Sequence, residues 1–392
     1  MKKVIFVSPH MILGGVEKAL LGMFSKMNTE EWDVTALFVR NKGGFSCFIP
    51  NRIKIKELNI SDEAADRLLG GGSKSAVLYY LKKLKLFNAV TIAIKKVFGH
   101  PFPELIKPFS ELKHIEGEYD VAVCYHIHMP FLVRFVAEKV SAKKRIAWIH
   151  NDFFTTGYNV KKLTRYLDNF DHFFAVSKQL QYEFMTIFPK FKAKTEIFYN
   201  ILDESDILTK GKYPIDSDMD FEGIKLLSIG RLNPQKGFDI AIDVAQKLVK
   251  AGRMDFKWYI IGDGELRSEL EKRIKNCDLE GIFILLGSKT NPYPYYKNCD
   301  IYVQTSRHEG YVTTVTEAKL FCKPIVVTRV AGSEEQIADG YNGLVTDIDS
   351  DVIAKRLIEL MDNDCLRGKF IERLREKTSH NDCFVKFEKL WC

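Results

Sequence analysis

Short apolar runs alternate with helical patterns along the whole chain. Residues 4–8 (VIFVS) and 224–229 (IKLLSI) are mostly apolar, as strands covered on both faces of a sheet tend to be. The segments that follow them, VEKALLGMFSKM and FDIAIDVAQKL, repeat apolar residues at the spacing of a helix. This alternation predicts an α/β fold with parallel sheets. Further strands are predicted at residues 32–39, 119–125, 143–150, 173–176, 197–200, 258–264, 283–287, 300–304 and 323–328.

The length of the chain predicts two domains. A chain of 392 residues is too long for one ordinary core. A polar stretch, TKGKYPIDSDMDFEG, separates the two series of strands and predicts a linker. The D-x-D pattern within it, Asp216 and Asp218, has no strand before it, so we interpret it as solvated charge and predict no metal site. The predicted divisions are a first domain (1–201), a linker (202–223), a second domain (224–375) and a last helix that crosses back to the first domain (376–392).

Composition excludes several classes of protein. Hydrophobic residues make up 46% of the chain and charged residues 28%, and no run approaches the roughly 20 apolar residues of a membrane span. The start, MKKVIFVSPHM, is typical of a short strand and lacks the apolar core of a signal peptide. The eight cysteines are scattered without a C-x-x-C pair, which indicates reduced thiols. We therefore expect a soluble cytoplasmic protein without a metal ion.

The net charge of +7 is mild for this length, but it is unevenly distributed. Residues 73–110 contain seven lysines and one acidic residue, Glu104, with aromatic and aliphatic residues between them. Such a segment can lie on an anionic membrane surface, as part of a peripheral membrane protein. A helical hairpin with solvated lysines explains the pattern equally well. Nucleic acid is not an expected partner, because no recognition motif accompanies the charge.

Two loops between a strand and a helix carry glycines. Gly14 and Gly15 follow the first strand, and the absence of a Cβ there lets backbone approach a ligand. The pattern is not G-x-G-x-x-G, so a nicotinamide dinucleotide is not expected. Arg231 and Lys236 lie on the glycine-flanked loop GRLNPQKG, where two cations are well placed to pair with a diphosphate.

The stretch from 298 to 347 combines anion-binding and hydroxyl-binding features. A buried strand is followed by a Glu309-Gly310 turn and then by a helix that begins near Thr313 and Thr314. The free N–H groups and the dipole of such a helix start favour phosphate. Two carboxylates, Glu309 and Glu317, can accept hydrogen bonds from sugar hydroxyls. This stretch therefore predicts a ligand with both phosphates and hydroxyls.

Histidines follow two predicted strands of the first domain. His126 and His128 follow the strand at 119–125, and His150 and Asp152 follow the next one. Ligands in open α/β sheets bind at the carboxyl ends of strands, so these side chains are candidates for the same ligand. The sequence leaves open whether His126 or His128 points inward, and both can be ordinary loop histidines.

The run SRHEGYVTTVTEAKLFCKPIVVTRVAGSEEQIADGYNGLVTD resembles the signature region of family 4 of the retaining glycosyltransferases, with its E-x7-E pair at Glu309 and Glu317. The loop GRLNPQKG resembles the family's phosphate-binding loop. The resemblance implies the GT-B fold, in which two Rossmann-like, doubly wound domains face each other across a cleft. It also implies transfer of a hexose from a nucleotide donor, most simply a UDP-sugar, with retention and without a metal ion. No other cofactor is expected.

The resemblance also implies roles for particular residues. Arg231 and Lys236 would bind the pyrophosphate, together with the start of the helix at Thr313, Thr314 and Val315. Glu317 would bind the ribose, and Glu309 would position the transferred sugar and stabilise positive charge at its anomeric carbon. The remaining expected contacts are with the donor diphosphate (Gly14 and Gly15), the nucleotide base (around Gly287) and the donor sugar (His126 or His128).

The implied setting is the assembly of a bacterial surface polysaccharide, such as a capsule, on a glycan or lipid-linked acceptor at the inner face of the membrane. Two alternatives stay open at this point. One is another GT-B enzyme, such as a nucleotide-sugar epimerase. The other is a non-catalytic glycosyltransferase-like subunit, although such a chain would be expected to lose at least one of Arg231, Lys236, Glu309 and Glu317.

Overall fold

The structure is a computed structural model that describes residues 1–69 except 29 and 42, residue 109, and residues 112–153, 160–215, 219–376 and 382–390. The predicted basic segment, 73–110, lies outside the described residues except for Phe109. The D-x-D pair of the predicted linker, Asp216 and Asp218, also lies outside them.

The first domain is built on a parallel sheet of seven strands in the order β3-β2-β1-β4-β5-β6-β7. The central strand β1 pairs with β2 on one side and with β4 on the other, so that Val4 lies opposite Val34 and Val121. All three valines are buried, because helices cover both faces of the sheet. The strands are β1 (Lys2–Ser8), β2 (Trp32–Phe38), β3 (Lys54–Glu57), β4 (Ile115–Cys124), β5 (Val140–Ile149), β6 (His172–Ala175) and β7 (Thr195–Ile197).

Helices follow several strands of the first domain along the chain. Helix α5 begins after Ser177, whose hydroxyl caps it by accepting a hydrogen bond from the N–H of Leu180 at 3.2 Å. The helices are α1 (Gly15–Lys26), α2 (Asp62–Leu68), α3 (Pro130–Lys139), α4 (Val160–Leu167) and α5 (Lys178–Ile187). A further helix, α6 (Glu204–Lys210), lies within the predicted linker, and its Ile207 is buried in an apolar cluster of the second domain.

The second domain is built on a parallel sheet of six strands in the order β10-β9-β8-β11-β12-β13. Its strands are β8 (Ile224–Ile229), β9 (Phe256–Ile261), β10 (Phe283–Gly287), β11 (Ile301–Gln304), β12 (Ile325–Thr328) and β13 (Leu344–Thr346). Its helices are α7 (Phe238–Lys250), α8 (Arg267–Asn276), α9 (Tyr293–Asn298), α10 (Thr313–Leu320), α11 (Ser333–Gln336), α12 (Ser350–Asp362) and α13 (Asp364–Arg375).

The last described helix, α14 (Asp382–Lys389), lies on the first domain although it follows the second in sequence. Phe387 is fully buried there, and its ring lies 6.1 Å from that of Phe6 and 5.7 Å from that of Trp32. Nζ of Lys386 donates to the carbonyl of Ile197 at 2.9 Å. The end of the chain therefore ties the second domain to the core of the first. Among the described helices, none has the length and apolar character needed to cross a membrane.

Each sheet has one point where the strand order reverses. In the first sheet this point lies between β1 and β4, and in the second it lies between β8 and β11. Loops that leave such neighbouring strands diverge to opposite faces and open a crevice at the carboxyl end of the sheet, where ligands bind. The fold thus places the loops after β1, β4, β8 and β11 at ligand-binding positions.

The predicted fold, α/β with two Rossmann-like sheets, is confirmed. The strands at 224–229 and 283–287 have the predicted bounds. Strand β3 has no predicted counterpart, because all four of its residues are exposed and KIKE lacks an apolar pattern. It pairs only with β2, at the edge of the sheet, where burial is least.

Candidate active site

A cleft of about 500 Å³ lies between the two domains, at the two points where the strand order reverses. Gly14 follows β1 and His126 follows β4, and both line its first-domain wall. Arg231 follows β8 and Glu309 follows β11, and both line its second-domain wall. The four loops that the topology favours therefore meet in one cleft.

Glycines allow the two walls to approach closely. A Cβ at Gly15 would lie 2.8 Å from Oγ1 of Thr313, at the start of α10 in the second domain. A Cβ at Gly310 would lie only 1.8 Å from the carbonyl oxygen of His150 in the first domain, which no side chain can tolerate. At Gly14 a Cβ would lie 2.5 Å from Oε2 of Glu17 on the same wall, whereas its distance of 3.9 Å from a guanidinium nitrogen of Arg231 is an ordinary contact. The cleft depends on glycine at these positions.

The loop between β8 and α7 presents two cations to the cleft, Arg231 and Lys236. A short 3-10 helix, Pro234–Lys236, shapes the loop, and the side chain of Asn233 caps it by accepting a hydrogen bond from the N–H of Lys236 at 3.3 Å. Gly237 has φ of 64°, a left-handed conformation that suits glycine. The sequence therefore fixes the direction in which both cations point.

Glu309 is held by three hydrogen-bond donors. Its Oε1 lies 2.5 Å from Nζ of Lys236 and 2.7 Å from Oγ of Ser306. Its Oε2 accepts a longer hydrogen bond, 3.4 Å, from the amide of Gln235. The carboxylate is almost buried yet faces the cleft. Its position is therefore preorganised beside Lys236, the cation that is expected to pair with phosphate. The sequence analysis singled out neither Ser306 nor Gln235, because their role depends on the side-chain packing around the turn.

The start of α10 is only partly on the cleft wall. Thr313 and Thr314 line the cleft. Val315, a predicted donor-binding residue, is fully buried in an apolar cluster of the second domain and is not among the lining residues. Its N–H also donates to the carbonyl of Val312 at 3.0 Å, so this group is already engaged. The helix start is therefore offered to a ligand through the threonines.

Two other predicted donor-binding residues lie behind the cleft wall. Glu317 is fully buried and accepts a hydrogen bond from the hydroxyl of Tyr296 at 2.8 Å, while Lys18 of the first domain binds its other oxygen. Lys18 lines the cleft and Glu317 does not. Gly287 ends β10 with φ of 74°, and the residues that reach the cleft there are Ser288 and Lys289.

The histidines differ in what they face. His126 lines the cleft, and burial lowers its pKa to about 4, with the carboxylate of Glu17 acting in the opposite direction. His128 is buried behind the wall, where its Nε2 accepts a hydrogen bond from the N–H of Asn151 at 3.1 Å and its pKa is lowered to about 3. The orientation left open by the sequence is therefore settled by the structure, since only His126 of the pair faces the cleft.

His150 also lines the first-domain wall, as do His10 and His126. It is buried, and neither ring nitrogen has a hydrogen-bond partner within the described part of the protein. Burial and the neighbouring His126 and His128 hold its pKa well below the usual value. A neutral imidazole with unused nitrogens that faces a polar cleft is suited to bind hydroxyl groups.

Glu17 is a cleft residue that the sequence analysis did not select. It lies in the first turn of α1, nearly buried, with Oε1 at 3.3 Å from Nδ1 of His10. The only sequence signal was its position after Gly14-Gly15 in GGVEK. Over the described residues, no group of three or more histidine, cysteine, aspartate or glutamate side chains is arranged to hold a metal ion.

Comparison with known proteins finds similarity to one family, in the second domain. Residues 215–377 match the family model "Glycosyl transferases group 1". An uncharacterized glycosyltransferase of Methanocaldococcus jannaschii is 28% identical over 229 residues, which cover 57% of this chain and 60% of that protein. A relative from Campylobacter jejuni is 28% identical over 191 residues, 48% of this chain and 50% of that protein. Its name is N-acetylgalactosamine-N,N'-diacetylbacillosaminyl-diphospho-undecaprenol 4-alpha-N-acetylgalactosaminyltransferase. The chain thus spans about half to three fifths of the length of these two curated relatives.

Solved structures extend the likeness to the whole fold. The crystal structure of Anabaena Alr3699/HepE in complex with UDP-glucose matches with a TM-score of 0.72 and 15% sequence identity. The match covers 100% of this chain and 99% of that one, so both domains and the cleft between them share the arrangement. The second domain of this chain is similar to the group 1 glycosyl transferases, and its two facing Rossmann-like domains have the GT-B fold.

Proposed function

We propose that this protein is a retaining glycosyltransferase that transfers a hexose from a UDP-sugar to a glycan or lipid-linked acceptor. The observation that carries the proposal is the meeting of Arg231, Lys236, Glu309 and the start of α10 in one cleft. Cations and a helix start suit the diphosphate of a nucleotide sugar, and a preorganised carboxylate suits its sugar. These groups come from separate loops that follow the strands at the switch point of the second sheet.

The charges of the cleft support the departure of a nucleoside diphosphate. Breaking the bond between a sugar and a diphosphate concentrates negative charge on the leaving phosphate and positive charge on the anomeric carbon. Arg231 and Lys236 would stabilise the former, and Glu309 the latter. Lys236 pairs with Glu309 at 2.5 Å, so phosphate oxygens would share this cation with the carboxylate. These cations supply the positive charge that the reaction needs, and we propose that no metal ion is required.

The proposed reaction is transfer on one face of the sugar. The bond between the anomeric carbon and the diphosphate oxygen breaks, and the acceptor oxygen forms its bond to the same carbon from the same face. The proton of the acceptor hydroxyl passes to the leaving diphosphate oxygen. The configuration of the anomeric carbon is retained, and UDP and an α-linked product are released. His126 and His150, both on the first-domain wall, would bind hydroxyls of the transferred sugar or of the acceptor.

Similarity to other proteins supports the choice of substrates. The Anabaena structure contains UDP-glucose, which favours a uridine nucleotide here. The Campylobacter relative is named for a transfer to a sugar-diphospho-undecaprenol, which favours a lipid-linked acceptor in the synthesis of a surface polysaccharide. We propose that the protein acts at the inner face of the membrane, where it binds peripherally.

A donor and acceptor panel tests the proposal. The purified protein is incubated with UDP-hexoses and UDP-N-acetylhexosamines in the presence of p-nitrophenyl glycosides, and both UDP and the new glycoside are measured. Formation of UDP with an α-linked product, identified by the NMR coupling of its anomeric proton, is the expected result. A β-linked product would contradict retention, UDP released equally without acceptor would favour an epimerase, and no turnover with any pair would contradict the proposal as a whole.

A further inference from the structure

Lys18 crosses from the first domain to a carboxylate of the second. It lies in the second turn of α1, and its ammonium group forms an ion pair with Oε1 of Glu317 on α10. The ammonium also lies 5.1 Å from the centre of the Tyr293 ring, at a distance typical of a cation–π contact. Lys18 therefore binds two elements of the second domain at once.

The contact closes Glu317 off from the cleft. The Glu317 side chain is 0% exposed and that of Lys18 is 15% exposed. Tyr296 donates to Oε2 at 2.8 Å and Lys18 occupies Oε1, so both oxygens have a partner. Because Lys18 lines the cleft and Glu317 does not, the lysine lies between the carboxylate and any ligand. No ribose hydroxyl can reach Glu317 until Lys18 moves.

We propose that Lys18 is a donor-site residue that controls the access of a ligand to Glu317, and we call this control the gate. Lys18 would thereby set the difference in affinity between a nucleotide with ribose hydroxyls and its 2′,3′-dideoxy analogue. The inference rests on the proposed function, since it takes a nucleoside diphosphate as the ligand. In the structure the ammonium satisfies the carboxylate. On binding, the ribose hydroxyls replace it as donors, and the ammonium turns toward the cleft, where the diphosphate provides a new counter-charge.

The exchange has a measurable consequence. Two hydroxyl hydrogen bonds to Glu317 are gained, but a buried ion pair is lost, so the ribose hydroxyls contribute little net affinity to the wild-type protein. Without the ammonium, the same hydroxyls would find a carboxylate with an empty position and would contribute fully. Lys18 therefore reduces the difference in affinity between nucleotides with and without ribose hydroxyls. Its removal should increase that difference.

The test compares UDP with 2′,3′-dideoxy-UDP by calorimetric titration and uses the ratio of their dissociation constants. Both nucleotides carry the same base and diphosphate, so any loss of attraction between Lys18 and phosphate cancels in this ratio. Lys18→Met should raise the ratio about tenfold over the wild type. Lys18→Arg, which keeps the cation, should return it toward the wild-type value. Adding Glu317→Gln to Lys18→Met should lower the raised ratio, because a neutral amide binds hydroxyls less strongly than a carboxylate does.

Lys26→Met is the matched control. Lys26 lies on the same helix, is exposed, and is outside the cleft, so its removal should leave the ratio unchanged. If Lys18→Met does not fold, Lys18→Leu takes its place, since it also leaves Oε1 of Glu317 without the lysine donor. A ratio that Lys18→Met or Lys18→Leu leaves at the wild-type value would overturn the gate while leaving the proposed function intact. A wild-type protein that binds no UDP would instead refute the proposed function, and the gate with it.

Discussion

Acidification should destabilise the first domain, because His126, His128 and His150 are neutral in the folded protein. Burial lowers the pKa of His126 to about 4 and that of His128 to about 3, and it holds the pKa of His150 well below its usual value. In the unfolded chain each ring takes up a proton near pH 6.5. Between these pH values the unfolded state binds more protons than the folded one. The contribution of these histidines to the free energy of unfolding is therefore fully present above about pH 6.5 and is lost as the pH is lowered.

The size of the effect follows from the shifts. For His126 and His128 the linkage relation gives a loss of about 2 kcal/mol each between pH 7 and pH 5. His150 acts in the same direction. Glu183 opposes them, because burial raises the pKa of its carboxyl to about 6, so the folded state takes up a proton there before the unfolded state does. The net result is still a fall in stability on the acid side of neutrality.

Urea unfolding followed by circular dichroism at several pH values between 5 and 8 measures this loss. His126→Asn should reduce the drop in the free energy of unfolding between pH 7 and pH 5 by about 2 kcal/mol, because one of the titrating rings is gone. The matched control is His114→Asn, since His114 is exposed and precedes the same strand. A free energy that is flat between pH 7 and pH 5, or a full drop in His126→Asn, would refute the burial of neutral histidines at this wall.

Three further substitutions test the site. Glu309→Gln should reduce turnover at least about 100-fold while UDP still binds, because charge is lost where positive charge develops, and wild-type turnover would remove Glu309 from the reaction. Lys236→Met should weaken the binding of UDP about 30-fold and that of uridine only slightly. The control Lys247→Met removes an ion pair away from the cleft and should change neither affinity. Equal losses of affinity for UDP and uridine would contradict the phosphate role of Lys236. Gly310→Ala should lower the melting temperature and separate the domains in small-angle scattering, because the new Cβ meets the carbonyl of His150, and an unchanged profile would show that this contact is dispensable.

The fold could be predicted because its central strands are covered on both faces. Apolar runs such as IKLLSI, at β8, can only be strands of a buried parallel sheet when helical patterns separate them. Strand β3 could not be predicted, because an exposed edge strand needs no apolar residues. The loop with Gly14 and Gly15 could be recognised because it lies between a strand and a helix, but the close approach of Gly310 to the carbonyl of His150 could not, because these residues belong to different domains.

The site could be predicted as a set of residues but not as an arrangement. Glu317 was expected at the ribose, yet whether a carboxylate faces a ligand depends on what lies over it, and Lys18 is 299 positions away in the chain. The burial of Val315 and the engagement of its N–H depend on how tightly the first turn of α10 is wound. The inward turn of His126 depends on strand ends that pack against each other only in the fold.

Calorimetric titration with UDP, GDP and ADP in the presence of EDTA tests the central claim most directly. The claim is that Arg231, Lys236 and the start of α10 form a diphosphate site that needs no metal ion. Selective binding of UDP, undiminished by EDTA, is the result that this account predicts. Failure of all three nucleotides to bind, or binding that EDTA abolishes, would contradict it.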